Sequence, residues 1–121
     1  MATPIRNLNL SGASNFRDLG GYGGADGRTV RWRKLFRSDH LGDLTAQDLA
    51  SLSELRLARV CDFRGQEERQ PRGCAIPGVA VHALSIEPTV VQGMQALLAQ
   101  GKALTPQSTL ALMEQTYRDF V

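Results

Sequence analysis

The spacing of apolar residues along the chain predicts a first helix over about residues 45–56. Leucines recur there at intervals of three residues, which places them on one face of a helix. Thr45 precedes the first turn and Asp48 stands at its third position, an arrangement in which the two residues cap each other. We therefore expect an amphipathic helix whose buried stripe consists of Leu49, Leu52 and Leu55.

Two short apolar runs predict strands over about residues 57–63 and 79–84. The first run, "LARVCDF", lies between charged residues, which is typical of a buried central strand. The second run, "VAVHAL", follows the turn signal Pro77-Gly78 and is expected in the same sheet. A helix followed by a strand is half of an α/β unit, so the pattern favours the α/β class, with a central sheet flanked by helices.

The N-terminal segment predicts a hairpin over about residues 15–38. It begins with "NFRDLGGY", in which two adjacent glycines permit a bend. Asp26-Gly27 is then a turn signal ahead of the second arm, "RTVRWRKLFRS". We expect this hairpin to pack against the body of one domain.

Charged side chains of the hairpin are candidates for either a structural or a substrate-orienting role. We favour Arg17 and Asp18 as a buried ion pair that braces the hairpin, with contact to a substrate as the second interpretation. Arg37 and Ser38, on the returning strand, are expected to join the same network. A structural role is favoured for these two residues as well.

The C-terminal part predicts two helices, over about residues 88–100 and 106–121. Thr105-Pro106 combines a capping residue with a proline at the first helical position. The last helix carries an apolar stripe that consists of Leu110, Met113, Tyr117 and Phe120. Because the stripe continues to the last residue, we interpret the chain as a domain cut short, with a covering second subunit, hence a homo-oligomer, as the alternative.

Composition narrows the classes of function. A chain of 121 residues with 42% hydrophobic residues supports one domain. The net charge of +2 comes from scattered basic residues, so we expect no nucleic-acid partner. No apolar leader and no membrane span is visible, which favours a soluble cytoplasmic chain, although secretion without a signal peptide stays open. Cys61 and Cys74 show no disulfide or zinc-ligand pattern, so we expect buried thiols and no metal.

Three motifs follow one another along the first two thirds of the chain: "NFRDLGGY", "DGRTVRWRKLFRSDHL" and "LTAQDLASLSELRLARVCDFRGQEE". Together they resemble the N-terminal half of the bacterial tyrosine phosphatase family that includes mycobacterial phosphatase B. This family is a branch of the cysteine-dependent protein-tyrosine and dual-specificity phosphatases. The resemblance covers about residues 13–78 well and the two following helices more loosely. It implies a phosphotyrosine-phosphatase-like α/β fold.

The resemblance implies that Asp62 is the general acid. This residue lies near the end of the "LARVCDF" run, at the edge where open α/β sheets place their ligands. The family commonly has Asp-Leu-Arg where this chain has Asp-Phe-Arg, and Phe63 is expected to keep an apolar anchor there. Arg64 is a candidate for binding a phosphate oxygen or orienting Asp62. The structural alternatives are that Asp62 caps the next turn and that Arg64 belongs to a solvated ion-pair cluster.

The family's nucleophile has no counterpart in these residues. Its phosphate-binding loop carries an arginine six positions after the cysteine, whereas Cys61 is matched there by Glu67 and Cys74 by Ala80. We therefore expect the domain to be truncated before that loop, and the chain by itself to be inactive.

The resemblance thus predicts a protein-tyrosine-phosphatase-like hydrolase whose intact form acts through a cysteinyl-phosphate intermediate. The expected substrate is a phosphotyrosine protein or another phosphomonoester, with the choice among phosphotyrosine, phosphoserine and phosphoinositide left open. No metal or organic cofactor is implied. Two other classes stay open: a catalytically silent module that binds itself or a partner, and a rhodanese-like sulfur transferase.

Overall fold

The computed structural model describes residues 4–86 and 89–120. In chain order its elements are β1 (Arg17–Asp18), β2 (Phe36–Arg37), α1 (Ala46–Ser53), β3 (Arg59–Asp62), α2 (Gln66–Arg69), β4 (Ala80–Ala83), α3 (Thr89–Ala99) and α4 (Pro106–Asp119). β1 pairs with β2 in antiparallel orientation, and β3 pairs with β4 in parallel. The order of strands and helices confirms the α/β class. Within the described ranges, however, the strands form two separate two-stranded sheets rather than one central sheet.

Helix α1 begins through the predicted cap. The Thr45 hydroxyl accepts a hydrogen bond from the Asp48 amide at 3.0 Å, and the Asp48 carboxylate accepts one from the Thr45 amide at 3.0 Å. The same carboxylate also accepts from the amides of Ser11 and Gly12, each at 2.8 Å. Asp48 therefore anchors the N-terminal loop to the start of α1 as well as capping the helix.

The hydrophobic core is small and lies between the N-terminal sheet, α1 and the loop before β4. Its buried members are Leu10, Ala13, Phe16, Leu52 and Ile76. Around them pack partly buried residues that include the other two leucines of the predicted stripe, Leu49 and Leu55. The ring of Phe16, just before β1, contacts the ring of Phe36 in β2 in a tilted arrangement with centroids 5.4 Å apart, which joins the sheet to this core.

The predicted ion pair between Arg17 and Asp18 is wrong. Neighbouring residues of a strand point to opposite faces, so the two side chains separate. Asp18 is fully buried, and its carboxylate accepts hydrogen bonds from the amides of Gly20 at 2.8 Å and Arg33 at 2.9 Å. Arg17 instead donates to the Asn15 carbonyl at 2.9 Å. Asp18 braces the hairpin through backbone amides rather than through its neighbour.

The extension of that network to the second strand is also wrong. Arg37 is exposed, and its α-carbon stands opposite that of Arg17 across the sheet. Ser38 donates to the Asp39 carboxylate at 3.0 Å rather than to Asp18. The two strands of the hairpin are each two residues long, so their solvent-facing side is short and carries like charges.

Strand β3 is half-buried rather than a buried central strand, which corrects the expectation from "LARVCDF". Arg59 and Cys61 are exposed whereas Asp62 is buried. The reason is that, within the described part of the chain, β3 has a neighbouring strand on one edge only. Two further expectations fail with it: the Cys61 thiol is exposed, and Phe63, expected as an apolar anchor, is 56% exposed.

Helices α3 and α4 pack against each other, and Gly93 permits their close approach because a β-carbon there would overlap the Leu112 side chain. The predicted cap of α4 is confirmed: the Thr105 hydroxyl accepts from the Ser108 amide at 3.1 Å, and Pro106 follows. The predicted helix limits at residues 88 and 121 lie outside the described residues. Within those residues, no helix has the length and apolar character needed to cross a membrane.

The apolar stripe of α4 is exposed along the described part of the helix. The exposed fractions are 61% for Leu110, 38% for Met113, 64% for Tyr117 and 47% for Phe120. Tyr117 and Phe120 contact each other edge to face, with ring centroids 6.0 Å apart. These exposures show that the predicted apolar stripe is present, and its cover by another part of a domain or by a second subunit stays a prediction.

Candidate active site

Asp62 is the last residue of β3 and lies at the edge where two parallel strands end. Its α-carbon is paired with that of Ala83, the last residue of β4. The amide of Leu84 donates to the Asp62 carbonyl at 2.9 Å and continues the pairing beyond the strand. We call this edge, with the loops that leave it, the carboxyl edge. It is where open α/β sheets present ligand-binding side chains.

The Asp62 carboxylate accepts hydrogen bonds from Arg64, two residues further along the chain. The guanidinium donates from Nε to Oδ1 at 3.0 Å and from Nη2 to Oδ2 at 2.8 Å, and the Arg64 amide donates to Oδ1 at 3.1 Å. The amide contact is the turn that an aspartate at a strand end forms locally. The guanidinium contacts make a bidentate, charge-assisted pair. Both residues are mostly removed from solvent, with side-chain exposures of 8% for Asp62 and 17% for Arg64.

Each member of this pair shifts the pKa of the other. The hydrogen bonds from Arg64 lower the pKa of Asp62, although burial of the carboxyl group works in the opposite direction. The positive charge of Arg69 lowers the same pKa further. In return, the Asp62 carboxylate raises the pKa of Arg64. Asp62 is therefore held as a carboxylate at neutral pH in this arrangement.

Arg69, at the end of α2, brings a second guanidinium to the carboxyl edge. Its Nη2 donates to the Ser85 hydroxyl at 2.7 Å, and its Nε donates to the Arg64 carbonyl at 3.2 Å. α2 is capped by Glu68, whose carboxylate accepts from the Gly65 amide at 2.9 Å. The sequence pattern indicates Arg69 only as a member of a surface charge cluster. No local signal marks its contact with Ser85, because that contact depends on how β4 lies beside β3.

A cavity of about 330 Å³ opens at the carboxyl edge. It is lined by Asp62, Gln66, Arg69, Gln70, Gly73, Cys74, Val81 and Ala83. One wall is thus polar and carries the candidate acid and a cation, while the strand β4 supplies the apolar wall. A phosphate group with a planar aromatic substituent has matching chemistry, since its oxygens bind guanidinium groups and its ring packs on apolar side chains.

Neither cysteine of the chain is placed as a nucleophile for this cavity. Cys74 lines the cavity, and its pKa is raised by burial and by the negative charge of Asp62. A reactive thiol needs the opposite, a pKa lowered by surrounding positive charge. Cys61 precedes Asp62 on β3 and therefore projects from the other face of the strand. These surroundings also disfavour a persulfide-carrying role for Cys74.

The structure brings together some of the predicted site residues and not others. Asp62 and Arg64 are joined as described. Four other candidates belong to the N-terminal sheet or its outgoing loop and do not line the cavity: Arg17, Asp18, Arg37 and Ser38. Across residues 4–86 and 89–120, no group of three or more histidine, cysteine, aspartate or glutamate side chains is arranged to hold a metal ion.

The sequence of the chain was compared with known protein families and with individual proteins. A family model described as "Tyrosine phosphatase family" matches residues 8–121. A protein of Cupriavidus necator, described as a "putative tyrosine-protein phosphatase", is 39% identical over 110 residues. The matched region covers 88% of this chain and 39% of that protein. The chain therefore spans well under half the length of this relative.

Proposed function

The chain belongs to the tyrosine phosphatase family, and we propose that it serves in the hydrolysis of phosphotyrosine or a related phosphomonoester, with Asp62 as the general acid. The activity of the whole protein is part of this proposal, because the matched region covers 39% of the named relative. The observation that carries the proposal is the buried Asp62 carboxyl group at the carboxyl edge, beside a cavity and two guanidinium groups.

An acid is needed at this position because of the leaving group. Hydrolysis of an aryl phosphate expels a phenolate, whose conjugate acid has a pKa of about 10, and the bond breaks faster when that oxygen receives a proton. Asp62 lies within the wall of the cavity where such an oxygen would be placed. Arg64 and Arg69 supply the positive charge that phosphate oxygens require.

The proposed mechanism passes through a cysteinyl phosphate, and its nucleophile belongs to a part of the whole protein other than this segment. A thiolate of this kind is paired with an arginine six positions later in the family. Cys61 and Cys74 lack that arginine, and the raised pKa of Cys74 argues against it as the attacking group. The part played by the described residues is therefore to bind the ester and to protonate its leaving oxygen.

The test replaces Asp62 by Asn in the whole protein that carries this segment and compares two esters, phenyl phosphate and 2,4-dinitrophenyl phosphate. Cleavage of phenyl phosphate depends strongly on an acid and cleavage of the dinitrophenyl ester depends little on one, because their leaving oxygens differ in basicity. We expect kcat for phenyl phosphate to fall by about two to four orders of magnitude, with a much smaller loss for the dinitrophenyl ester.

The matched control is Asp26→Asn, which removes an exposed carboxylate whose nearest cation, Arg28, is 3.9 Å away. This variant should leave both rates unchanged. Equal losses for the two esters in Asp62→Asn would indicate a structural role for Asp62. An unchanged rate would remove Asp62 from the mechanism.

A further inference from the structure

We propose that the Asp62–Arg64 pair is a partner-exchange device: the substrate's phosphate group takes Arg64 away from Asp62, and only then is the Asp62 carboxyl group free to act as the acid. The inference rests on the proposed function and adds a regulation of the acid by the substrate itself. It makes Arg64 a phosphate-binding residue when substrate is bound and a restraint on Asp62 when the two side chains are paired.

The geometry of the Asp62–Arg64 pair favours such a change. Both oxygens of the Asp62 carboxylate accept from Arg64, Oδ1 at 3.0 Å and Oδ2 at 2.8 Å. A general acid must carry a proton on one oxygen and direct it at the leaving group. While the guanidinium fork contacts both oxygens, its positive charge and its hydrogen bonds favour the carboxylate over the protonated form. Separation of the pair therefore favours the protonated carboxyl group that can donate.

A phosphoester is a suitable competitor for Arg64. The fork of donors that fits a carboxylate also fits two oxygens of a phosphate group, and the phosphate offers the larger negative charge. Arg69 can remain in place during the exchange, since it is held by the Ser85 hydroxyl at 2.7 Å and by the Arg64 carbonyl at 3.2 Å. Its second contact fixes the backbone of Arg64 while the side chain moves.

The charges around Asp62 make the exchange change its protonation. Arg64 and Arg69 face it with positive charge, Cys74 lies beside it, and Glu68 acts on Arg64 from α2. On the β4 side, the cavity wall consists of Val81 and Ala83, which carry no charge. Arg64 is the largest influence that lowers the Asp62 pKa, and burial opposes it. When the Arg64 side chain moves away, the effect of burial is less opposed, so the pKa of Asp62 rises.

The substrate can also supply the proton. An aryl phosphate has a second pKa of about 6, so part of it enters as a monoanion near neutral pH. On binding, the monoanion passes its proton from a phosphate oxygen to Asp62, which leaves a dianion on Arg64 and a neutral carboxyl group. As the cysteine thiolate of the proposed mechanism bonds to phosphorus and the P–O bond breaks, that group gives the proton to the leaving oxygen, on which the electron pair of the broken bond stays. One proton is moved and none is gained or lost.

The experiment follows the Asp62 carboxyl group directly in this chain, by NMR with carboxyl-¹³C aspartate and ¹⁵N arginine. Sulfate is the probe, because it resembles a phosphate dianion and stays charged over the range in which aspartates titrate. Titrations in sodium sulfate and in sodium chloride at equal ionic strength are compared. We expect sulfate to raise the Asp62 pKa by about one unit and to shift the Arg64 Nε signal.

Asp48 is the internal control. Its pKa is also lowered, but through the amides of Thr45, Ser11 and Gly12 and not through an arginine, so sulfate should leave it unchanged. In Arg64→Met, the Asp62 pKa should start higher and no longer respond to sulfate. Arg64→Lys should restore part of both effects.

An Asp62 pKa that is the same in sulfate and chloride, in the unmodified chain, would overturn the exchange, whatever the variants do. So would a sulfate response that persists in Arg64→Met. The NMR titration tests the exchange without measuring catalysis. The comparison of the two aryl phosphates tests the acid role of Asp62 without any Arg64 variant. Failure of the exchange is therefore distinguishable from failure of the proposed acid role.

Discussion

The carboxylate of Asp48 accepts a hydrogen bond from the amide of Gly12 at 2.8 Å, across 36 residues of chain. The same carboxylate also accepts from the Thr45 amide and so takes part in the cap of α1. Asp48 thus makes one local contact within the cap and one long-range contact with the N-terminal loop. Gly12 itself lies against the backbone of Asp43, so closely that a β-carbon would overlap it. The loop is thereby fastened to the segment that precedes α1 by one side chain and one close backbone approach.

Replacing Asp48 should therefore weaken two elements at once. In Asp48→Ala the Thr45, Ser11 and Gly12 amides lose their acceptor, and α1 loses the side-chain half of its capping box. We expect the midpoint of thermal unfolding, followed by circular dichroism, to fall by about 4 °C or more. Ser108→Ala, which removes one side of the exposed α4 cap, is the matched variant and should cost less. Equal midpoints for Asp48→Ala and the unmodified chain would contradict the double role.

Stability should fall at acid pH. Hydrogen bonds lower the pKa of Asp48 and of Asp62 below the ordinary value of 3.8 in the folded chain. A group with a lowered folded pKa contributes stability that is fully present above its unfolded pKa and is lost as pH falls through the folded value. Urea unfolding should thus show little change between pH 7 and 5 and a steady loss below about pH 4.

The acid effect can be assigned to its residues. Asp48→Asn and Asp62→Asn should each flatten part of the pH dependence, because the amide side chain does not titrate. Asp26→Asn, at an exposed carboxylate, should leave the curve unchanged. A stability that is constant from pH 5 to pH 3 in the unmodified chain would show that these carboxyl groups do not contribute as described.

The exposed stripe of α4 leads to a prediction about association. We expect the chain to self-associate, because the stripe presents four large apolar side chains to water. Tyr117→Glu should raise the dissociation constant, measured by sedimentation, by at least about tenfold. Ala111→Glu adds the same charge at an exposed position elsewhere on α4 and should have little effect. A monomer at all concentrations, in the unmodified chain, would disprove association through α4.

The parts of the fold that local chemistry determines could be predicted from the sequence. The caps of α1 and α4 each involve residues three positions apart, and both are present. The apolar run at β3 showed where a strand forms. It does not show how many strands flank β3, because the burial of a strand depends on neighbours that are distant in sequence. The exposure of Cys61 and Phe63 therefore cannot be predicted from the run itself.

The candidate site divides in the same way. Asp62 and Arg64 are two residues apart, and a turn is enough to bring them together. Arg69 reaches Ser85 across 16 residues only because β3 and β4 run parallel in one register. The sequence pattern was sufficient to exclude the ion pair between Arg17 and Asp18, because adjacent side chains of a strand lie on opposite faces.

The closeness of Asp62 and Arg64 in sequence also has a meaning for protein engineering. Strand end, turn, carboxylate and guanidinium are contained in residues 62–64, with the turn closed by the Arg64 amide. A designer who transplants these three residues to the end of another parallel strand would move the carboxylate and its guanidinium partner together. What remains to be rebuilt in the new host is the outer support, the arginine and hydroxyl that in this chain are Arg69 and Ser85.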